Sequence, residues 1–469
     1  MLFNSIDFIF FLPIVIIAYY AMNAKYRWAL LLAASYYFYM SWKVEYVVLI
    51  LISTLVDYYC GIQMGKRESK RKRRPFLLLS LGANLGLLMG FKYFNFFSQT
   101  ATDIAQSLSI PIHFPIMDFL LPVGISFYTF QTLSYSIDVF KGNQKPERHL
   151  GYFALYVSFF PQLVAGPIER FSSLAPQLKK HHTFNYENLK FGARLILFGL
   201  FIKMVGADNF APVIDAVYSD PDNYTSFSIL TAIVFYSFQI YCDFFGYSLI
   251  AIGSARLMGI HLMDNFKTPY LSTNIADFWR RWHISLSTWF RDYLYFSLGG
   301  NRTKYWRWML NILLVFIISG FWHGANFTFI IWGLIFGVFY LLENGFNKLL
   351  KLNTDIRQSY IKHFALALKT FAIVTIAWVF FRSASIEDAL HVFDLLFSGK
   401  GEETVGVSIL VWGVFAAFIF TDILLYNKRF DQWIDNKHII IRWSTYSVLL
   451  VCIVFFAGVD DLPFIYFQF

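Results

Sequence analysis

Trp308-Met-Leu-Asn-Ile-Leu-Leu-Val-Phe-Ile-Ile-Ser-Gly-Phe-Trp-His-Gly-Ala-Asn326 begins a stretch that continues to Leu342 without one Asp, Glu, Lys or Arg. A single histidine, His323, sits inside it. At ~1.5 Å per residue, these roughly 35 residues would make a helix of about 50 Å, well beyond the ~30 Å hydrocarbon core of a bilayer. The stretch must tilt strongly or break, and Gly320 and Gly324 are the cheapest places for a break. The part before it, 308–319, is too short to cross alone, so His323 is expected at depth on irregular backbone. Such backbone is tolerated in a membrane only where protein or a water-filled cavity surrounds it. An ionisable residue there marks function by default, against the plainer reading of a histidine bonded to a neighbouring helix.

The composition agrees. Of 469 residues, 57% are hydrophobic, 21% aromatic and only 15% charged. Mean hydropathy is +0.51. Apolar segments of spanning length recur from end to end, so the expected class is an all-α multi-pass membrane protein. The net charge of +9 does not indicate nucleic acid, because the basic residues fall in short loops where they set orientation and meet the lipid bilayer. Cys60, Cys242 and Cys452 are isolated and give neither a disulfide framework nor a thiol metal motif. The first apolar run, 6–22, lacks a basic leader and a cleavage site and reads as a retained span.

In chain order, spans are expected at 6–23, 28–42 and 45–64, before the basic run Lys66 to Arg74. That run belongs in the cytoplasm and puts the N-terminus outside. A fourth span is expected at 76–98 and a loop at 99–117. Leu121 to Val139 carries Ser126, Thr129, Gln131, Thr132 and Ser134, too polar to face lipid. Residues 151–166 end in Pro161-Gln-Leu-Val-Ala-Gly-Pro167, a re-entrant or broken helix. The His181–His182 pair lacks a third ligand and reads as solvated loop. Asp220-Pro-Asp222 reads as a turn. Spans follow at 191–217 and 226–254, the second with Asp243 inside its apolar run. Others are expected at 363–382, 406–425 and 440–457, joined by solvated segments 343–362 and 383–405. The total is roughly 11–12 membrane segments, re-entrant ones included, and no internal repeat is visible.

A second unusual stretch, Asp277-Phe-Trp-Arg-Arg-Trp-His-Ile-Ser-Leu-Ser-Thr-Trp-Phe-Arg-Asp-Tyr293, reads as one two-sided interfacial helix. Trp279, Trp282, Leu286, Trp289 and Tyr293 would form an aromatic stripe. Arg280, His283, Ser287 and Arg291 would share another face. Asp277 stands four residues before Arg281, a pairing distance.

His283 and His323 are thus the candidate chemistry. A neutral imidazole can take the proton of an attacking hydroxyl, and a second His or an Arg can stabilise the oxyanion of acyl transfer. Metal catalysis and a serine nucleophile find no motif here.

These motifs, with Leu2-Phe-Asn-Ser-Ile-Asp-Phe8, Leu121-Pro-Val-Gly-Ile-Ser-Phe-Tyr-Thr-Phe-Gln131, Trp378-Val-Phe-Phe-Arg382 and Phe464-Ile-Tyr-Phe-Gln-Phe469, resemble the membrane-bound O-acyltransferase (MBOAT) family, of the bacterial alginate O-acetyltransferase type. The resemblance covers nearly the whole chain as one integral-membrane domain: N-terminal spans 1–120, catalytic core 121–345 and C-terminal spans 346–469. It implies a ring of tilted helices around a central tunnel, with His323 as the catalytic histidine and His283 at the second signature position. Arg280, Arg281, Trp282, Ser287, Trp322, Asn326 and Asp243 are the expected substrate-binding residues. It also implies acetyl-CoA as a cytosolic donor with no bound cofactor, a polysaccharide acceptor, a periplasmic acetyltransferase partner and the bacterial inner membrane. Asp243-Phe-Phe-Gly-Tyr-Ser-Leu249 departs from the subgroup's Asp-Phe-Ser-Gly-Tyr-Ser-Asp and resembles the D-alanyl-transferring relatives of teichoic acid. D-alanyl transfer, a sugar transporter and an export scaffold are the rival readings.

Overall fold

The computed structural model describes residues 1–118, 121–164, 166–349, 360–456 and 464–465. Residue 165, half of the expected 343–362 connector (350–359) and the last four residues of the closing motif lie outside them. Among the described residues the chain is helical, with one isolated bridge, Tyr224 to Glu403. Seven helices are long and apolar enough to cross a membrane, and Ile6–Ala21 and Ile409–Leu424 are shorter apolar helices. This is a multi-pass architecture.

The residues form two compact units: Met1–Leu189 with Ser254–Met263, and Lys190–Gly253 with Asp264–Phe469. The first holds α1 (Ile6–Ala21), α2 (Arg27–Met40), α3 (Val47–Gly65), α4 (Lys70–Ser107), α5 (Ile125–Lys141), α6 (Leu150–Ser158) and α7 (Phe171–Lys179). Helix α4 differs from the expectation at both ends. The basic run supplies its first turns, with Ser69 Oγ accepting from Lys72 N at 3.4 Å. The helix then continues through a π turn at Met89–Tyr93 into the expected loop, as far as Ser107. Cations at a helix N-terminus oppose the macrodipole. Their position is better explained by anionic headgroups than by helix stability. The polar face foreseen on α5 packs inward. Its Ser136 donates to buried Asp57 of α3 at 2.9 Å, Asn84 of α4 donates to the other carboxylate oxygen at 2.7 Å, and Ser80 adds a third bond. Residues 150–163 form α6 and one further turn, broken at Phe159.

The second unit contains most of α8 (186–219, with an internal π turn at Phe201–Ala207) and most of α9 (Ser226–Leu257). It continues with α10 (Ile275–Arg281), α11 (Ile284–Trp289), α12 (Tyr305–His323), α13 (Phe327–Leu349), α14 (Tyr360–Arg382) and α15 (Ile386–Ser398). It closes with α16 (Ile409–Leu424), α17 (Phe430–Asp435) and α18 (Ile439–Phe456).

The charge-free stretch is a helical hairpin, and its break falls at Gly324 rather than Gly320. Gly320 stays helical because it sits at the crossing. A Cβ there would strike the Phe329 carbonyl of α13, and one on Gly333 would strike the Phe316 carbonyl of α12. Two facing glycines let the backbones touch, the usual means of packing helices where lipid removes the hydrophobic drive between them. At 19 residues, α12 is about 28 Å long. His323 is therefore the last helical residue of a full-length helix, not a residue on irregular chain beyond a half-helix.

Candidate active site

Helix α12 ends where the next side chain must disappear. A Cβ on Gly324 would run into the Phe329 ring, so glycine lets the chain turn back into α13 without displacing that ring. Asn326 fastens the turn. Its Oδ1 accepts from Thr328 N at 3.1 Å, capping α13, and its Nδ2 donates to the Ala384 carbonyl at 2.6 Å. Buried at this tip, His323 packs among rings: Trp322 at 4.9 Å between centroids, Trp332 of α13 at 5.0 Å and Phe381 of α14 at 5.5 Å.

The second stretch is not one helix. It breaks at Trp282–His283, and His283 takes a left-handed backbone, φ 42° and ψ 55°. For a non-glycine residue this costs roughly 1–2 kcal/mol and persists only where surroundings enforce it. Here Asn265 enforces it. Its carbonyl accepts from Ile284 N at 3.0 Å, and its Oδ1 accepts from Ser285 Oγ at 2.7 Å and Ser285 N at 3.3 Å. Lys267 N also donates to the Arg281 carbonyl at 2.9 Å.

This kink changes the expected faces. Arg280, Ser287 and Arg291 do share a surface, lining a cleft of about 510 Å³ with Trp279, Ser319 and Tyr340. His283 leaves that face and turns inward to full burial, 4.7 Å from the Phe244 ring of α9. Trp322, one residue before His323, lies 6.3 Å from His283. Two imidazoles 40 positions apart in sequence thus border the same indole. Ser319, the residue of α12 nearest His323 that lines the cleft, is one helical turn before His323.

The other expected site residues are engaged with neighbouring protein groups. Arg281 pairs with Asp277 at 2.9 Å and donates to Asn427 at 2.7 Å and Tyr426 at 3.2 Å. Trp282 is fully buried among Tyr241, Phe266 and Trp378. Asp243 is held on both oxygens, by Lys203 Nζ at 2.9 Å and by Ile465 N at 2.6 Å. Lys203 is shared with Asp208 at 2.5 Å. A buried carboxylate with cation and amide both supplied is a structural ion pair. Arg280 is 70% exposed, with Asp277 3.5 Å away, and its guanidinium reaches the cleft.

The sequence reading missed Asn265. Its only signal was a polar Asp264-Asn265 step between apolar helices, and the contact that matters is 20 residues away. Among the described residues no group of three His, Cys, Asp or Glu can hold a metal. The arrangement offers an imidazole for proton transfer, a second imidazole and an indole beside it, and a cationic cleft ending one turn short.

Comparison with known sequences supplies a context for that geometry. Residues 41–385, which include both histidines and the whole cleft, match the membrane-bound O-acyltransferase family. A protein named "probable alginate O-acetylase" from Pseudomonas putida is 40% identical over 400 residues, covering 85% of this chain and 80% of its own. The peptidoglycan O-acetyltransferase of Helicobacter pylori is 38% identical over 432 residues, covering 84% and 79%. The teichoic acid D-alanyltransferase of Bacillus subtilis is 32% identical over 249 residues, covering 50% and 62%.

Proposed function

Because this chain belongs to the membrane-bound O-acyltransferase family, we propose that it moves acetyl from cytosolic acetyl-CoA to hydroxyls of an extracytoplasmic polysaccharide. The membrane is the bacterial inner membrane, with the N-terminus outside. The observation that carries this reading is the meeting of His283 and His323 over Trp322, beside a cleft walled by Arg280 and Arg291.

The sidedness follows from charge. Arg302, Lys304 and Arg307 stand at the start of α12, and basic helix ends stay in the cytoplasm. The other end of α12, with His323, then faces the acceptor's side. The cleft runs along α12 from Ile312 to Ser319, the direction a donor entering from the cytoplasm must take. Arg280 and Arg291 suit the phosphates of such a donor, since a guanidinium fork matches phosphate oxygens.

In the transfer step, His323 takes the proton of the acceptor hydroxyl through one imidazole nitrogen. The hydroxyl oxygen forms a bond to the thioester carbonyl carbon, the carbon–sulfur bond breaks, and the thiolate leaves with the proton that His323 returns. His283 is placed to hold the donor or to offset charge on the oxyanion. The polysaccharide receives acetyl directly or through a periplasmic partner that accepts it first. Acetyl is preferred to D-alanyl because the acetyl-transferring relatives match at 38–40% over 84–85% of the chain, against half of it for the D-alanyl relative.

The test uses proteoliposomes loaded with labelled acetyl-CoA, with alginate or peptidoglycan glycan fragments outside. Label is expected on the outer glycan. Label from a D-alanyl donor alone, or no transfer to any glycan with or without an added periplasmic acetyltransferase, contradicts the proposal.

A further inference from the structure

A second cavity in the Lys190–Gly253, Asp264–Phe469 unit plays no part in that mechanism. It measures about 350 Å³. Its lining includes Phe266, whose ring packs on Phe244, and Phe244 packs in turn on His283. Neither catalytic candidate borders it.

Three side chains of its wall, Ser248, Asn265 and Thr268, are 1%, 1% and 6% exposed. Ser248 Oγ, Asn265 Nδ2 and Thr268 Oγ1 meet no hydrogen-bond partner among the described residues. Burying such groups unpaired is costly, and three around one cavity point to a ligand that pairs them. The Asn265 amide is not reversible. Its Oδ1 accepts from a backbone N–H of Ser285, which only the carbonyl oxygen can do, so the cavity receives the NH2 donor. Thr268 is held there with a left-handed backbone, φ 44° and ψ 62°, unusual for a β-branched residue.

The charges grade from floor to mouth. Asp422, accepting from Tyr241 Oη at 3.1 Å, adds an acceptor to the buried donors. Arg429 is committed to Asp264 at 3.2 Å and Asp431 at 2.9 Å. Lys267 and Lys428, both exposed, bring ammonium groups to the mouth. Beside the mouth, Ile423 and Leu424 expose apolar surface at the end of α16.

We propose that this cavity binds an anionic phospholipid whose headgroup carries hydroxyls. The phosphodiester meets Lys267 and Lys428. The hydroxyls donate to Asp422 and accept from Asn265 Nδ2, with Ser248 and Thr268 able to do either. The acyl chains lie along Ile423 and Leu424. A choline or ethanolamine headgroup would offer no hydroxyl to the floor and would set its own cation against the lysines. The inference stands apart from the acyl-transfer reading and survives its failure.

The test reconstitutes the full chain in nanodiscs of equimolar phosphatidylglycerol and phosphatidylcholine, extracts it in detergent, and measures retained lipid by native mass spectrometry. Phosphatidylglycerol is expected to be enriched about tenfold, the scale of one or two charge-assisted hydrogen bonds. Enrichment should vanish in the surface variant K267A/K428A and fall several-fold in S248A. Equal retention of the two lipids, or unchanged enrichment in both variants, overturns the proposal. Displacement of the retained lipid by equimolar soluble glycerol phosphate overturns it in favour of a water-soluble phosphate ester.

Discussion

Asp57 in α3 and His323 at the end of α12 are both ionisable, both buried and both carried on helices of spanning length. Their surroundings differ in kind. Asp57 is enclosed by donors from two neighbouring helices, Ser80 and Asn84 on α4 and Ser136 on α5. His323 is enclosed by rings, Trp322, Trp332 and Phe381, and stands one turn past the end of an arginine-walled cleft. A buried carboxylate whose acceptors are answered from several helices ties those helices together. An imidazole among aromatic walls beside a cleft is placed to exchange a proton with something that enters. Intramembrane polarity alone therefore does not mark chemistry; what surrounds the group decides.

The largest expected effect breaks one side of that contrast. His323→Ala should lower acyl transfer by roughly 10²–10⁴-fold, the range for loss of a positioned general base, with helical circular dichroism unchanged. On the other side, Asp57→Leu should cost roughly 3 kcal/mol of stability, because Asn84, Ser80 and Ser136 lose their acceptor. Thermal unfolding in detergent reads that loss, while activity per folded molecule should stay near wild type.

Gly320→Val sharpens the comparison by moving the tip without touching the imidazole. The branched side chain would collide with the Phe329 carbonyl. Overpacking of this kind costs about 1–3 kcal/mol, so both the melting temperature and the transfer rate should fall. His283→Gly separates backbone from side chain. It relieves left-handed strain of about 1–2 kcal/mol at φ 42° but empties a fully buried site, so stability should fall by less than in His283→Ala, while both variants lose transfer roughly 10–100-fold, a smaller loss than at His323 because His283 orients rather than accepts the proton. Transfer that tracks the stabilities of the two variants would make His283 a packing residue.

The smallest effect lies outside the spans. Arg194 bonds Asp435 at 2.8 Å and holds its carboxyl below the ordinary 3.8, through that hydrogen bond first. A carboxyl depressed in the folded state stabilises above the unfolded value and loses that contribution as pH falls through the folded one. Wild type should exceed Asp435→Asn in melting temperature above pH 4, and the two should converge below it. The pair is partly exposed, so the difference should stay under about 1 kcal/mol and shrink with salt.

Much of this was legible in the sequence because lipid imposes simple rules. A charge-free run too long for a bilayer had to break near Gly320 or Gly324, and a polar α5 had to face protein. The choice between the two glycines was not legible. It depends on Phe329 and Gly333, which approach only once the hairpin closes. The faces of the 277–293 stretch were misjudged at His283 for the same reason. Helical periodicity assumes one continuous helix, and the break is imposed by Asn265 from 20 residues earlier. The partners of Arg281, Asn326 and Asp243, which are Asp277, Ala384 and Lys203, were not legible either, except the local Asp277–Arg281 pair. The meeting over Trp322 is tertiary, and no local pattern announces it.

The central claim is that His283 and His323 serve one site through that shared indole. A double-mutant cycle on labelled acetyl transfer in proteoliposomes tests it most directly. If the claim holds, H283A/H323A transfers no more slowly than H323A alone. If the two losses multiply, the histidines act independently and the single-site account is contradicted.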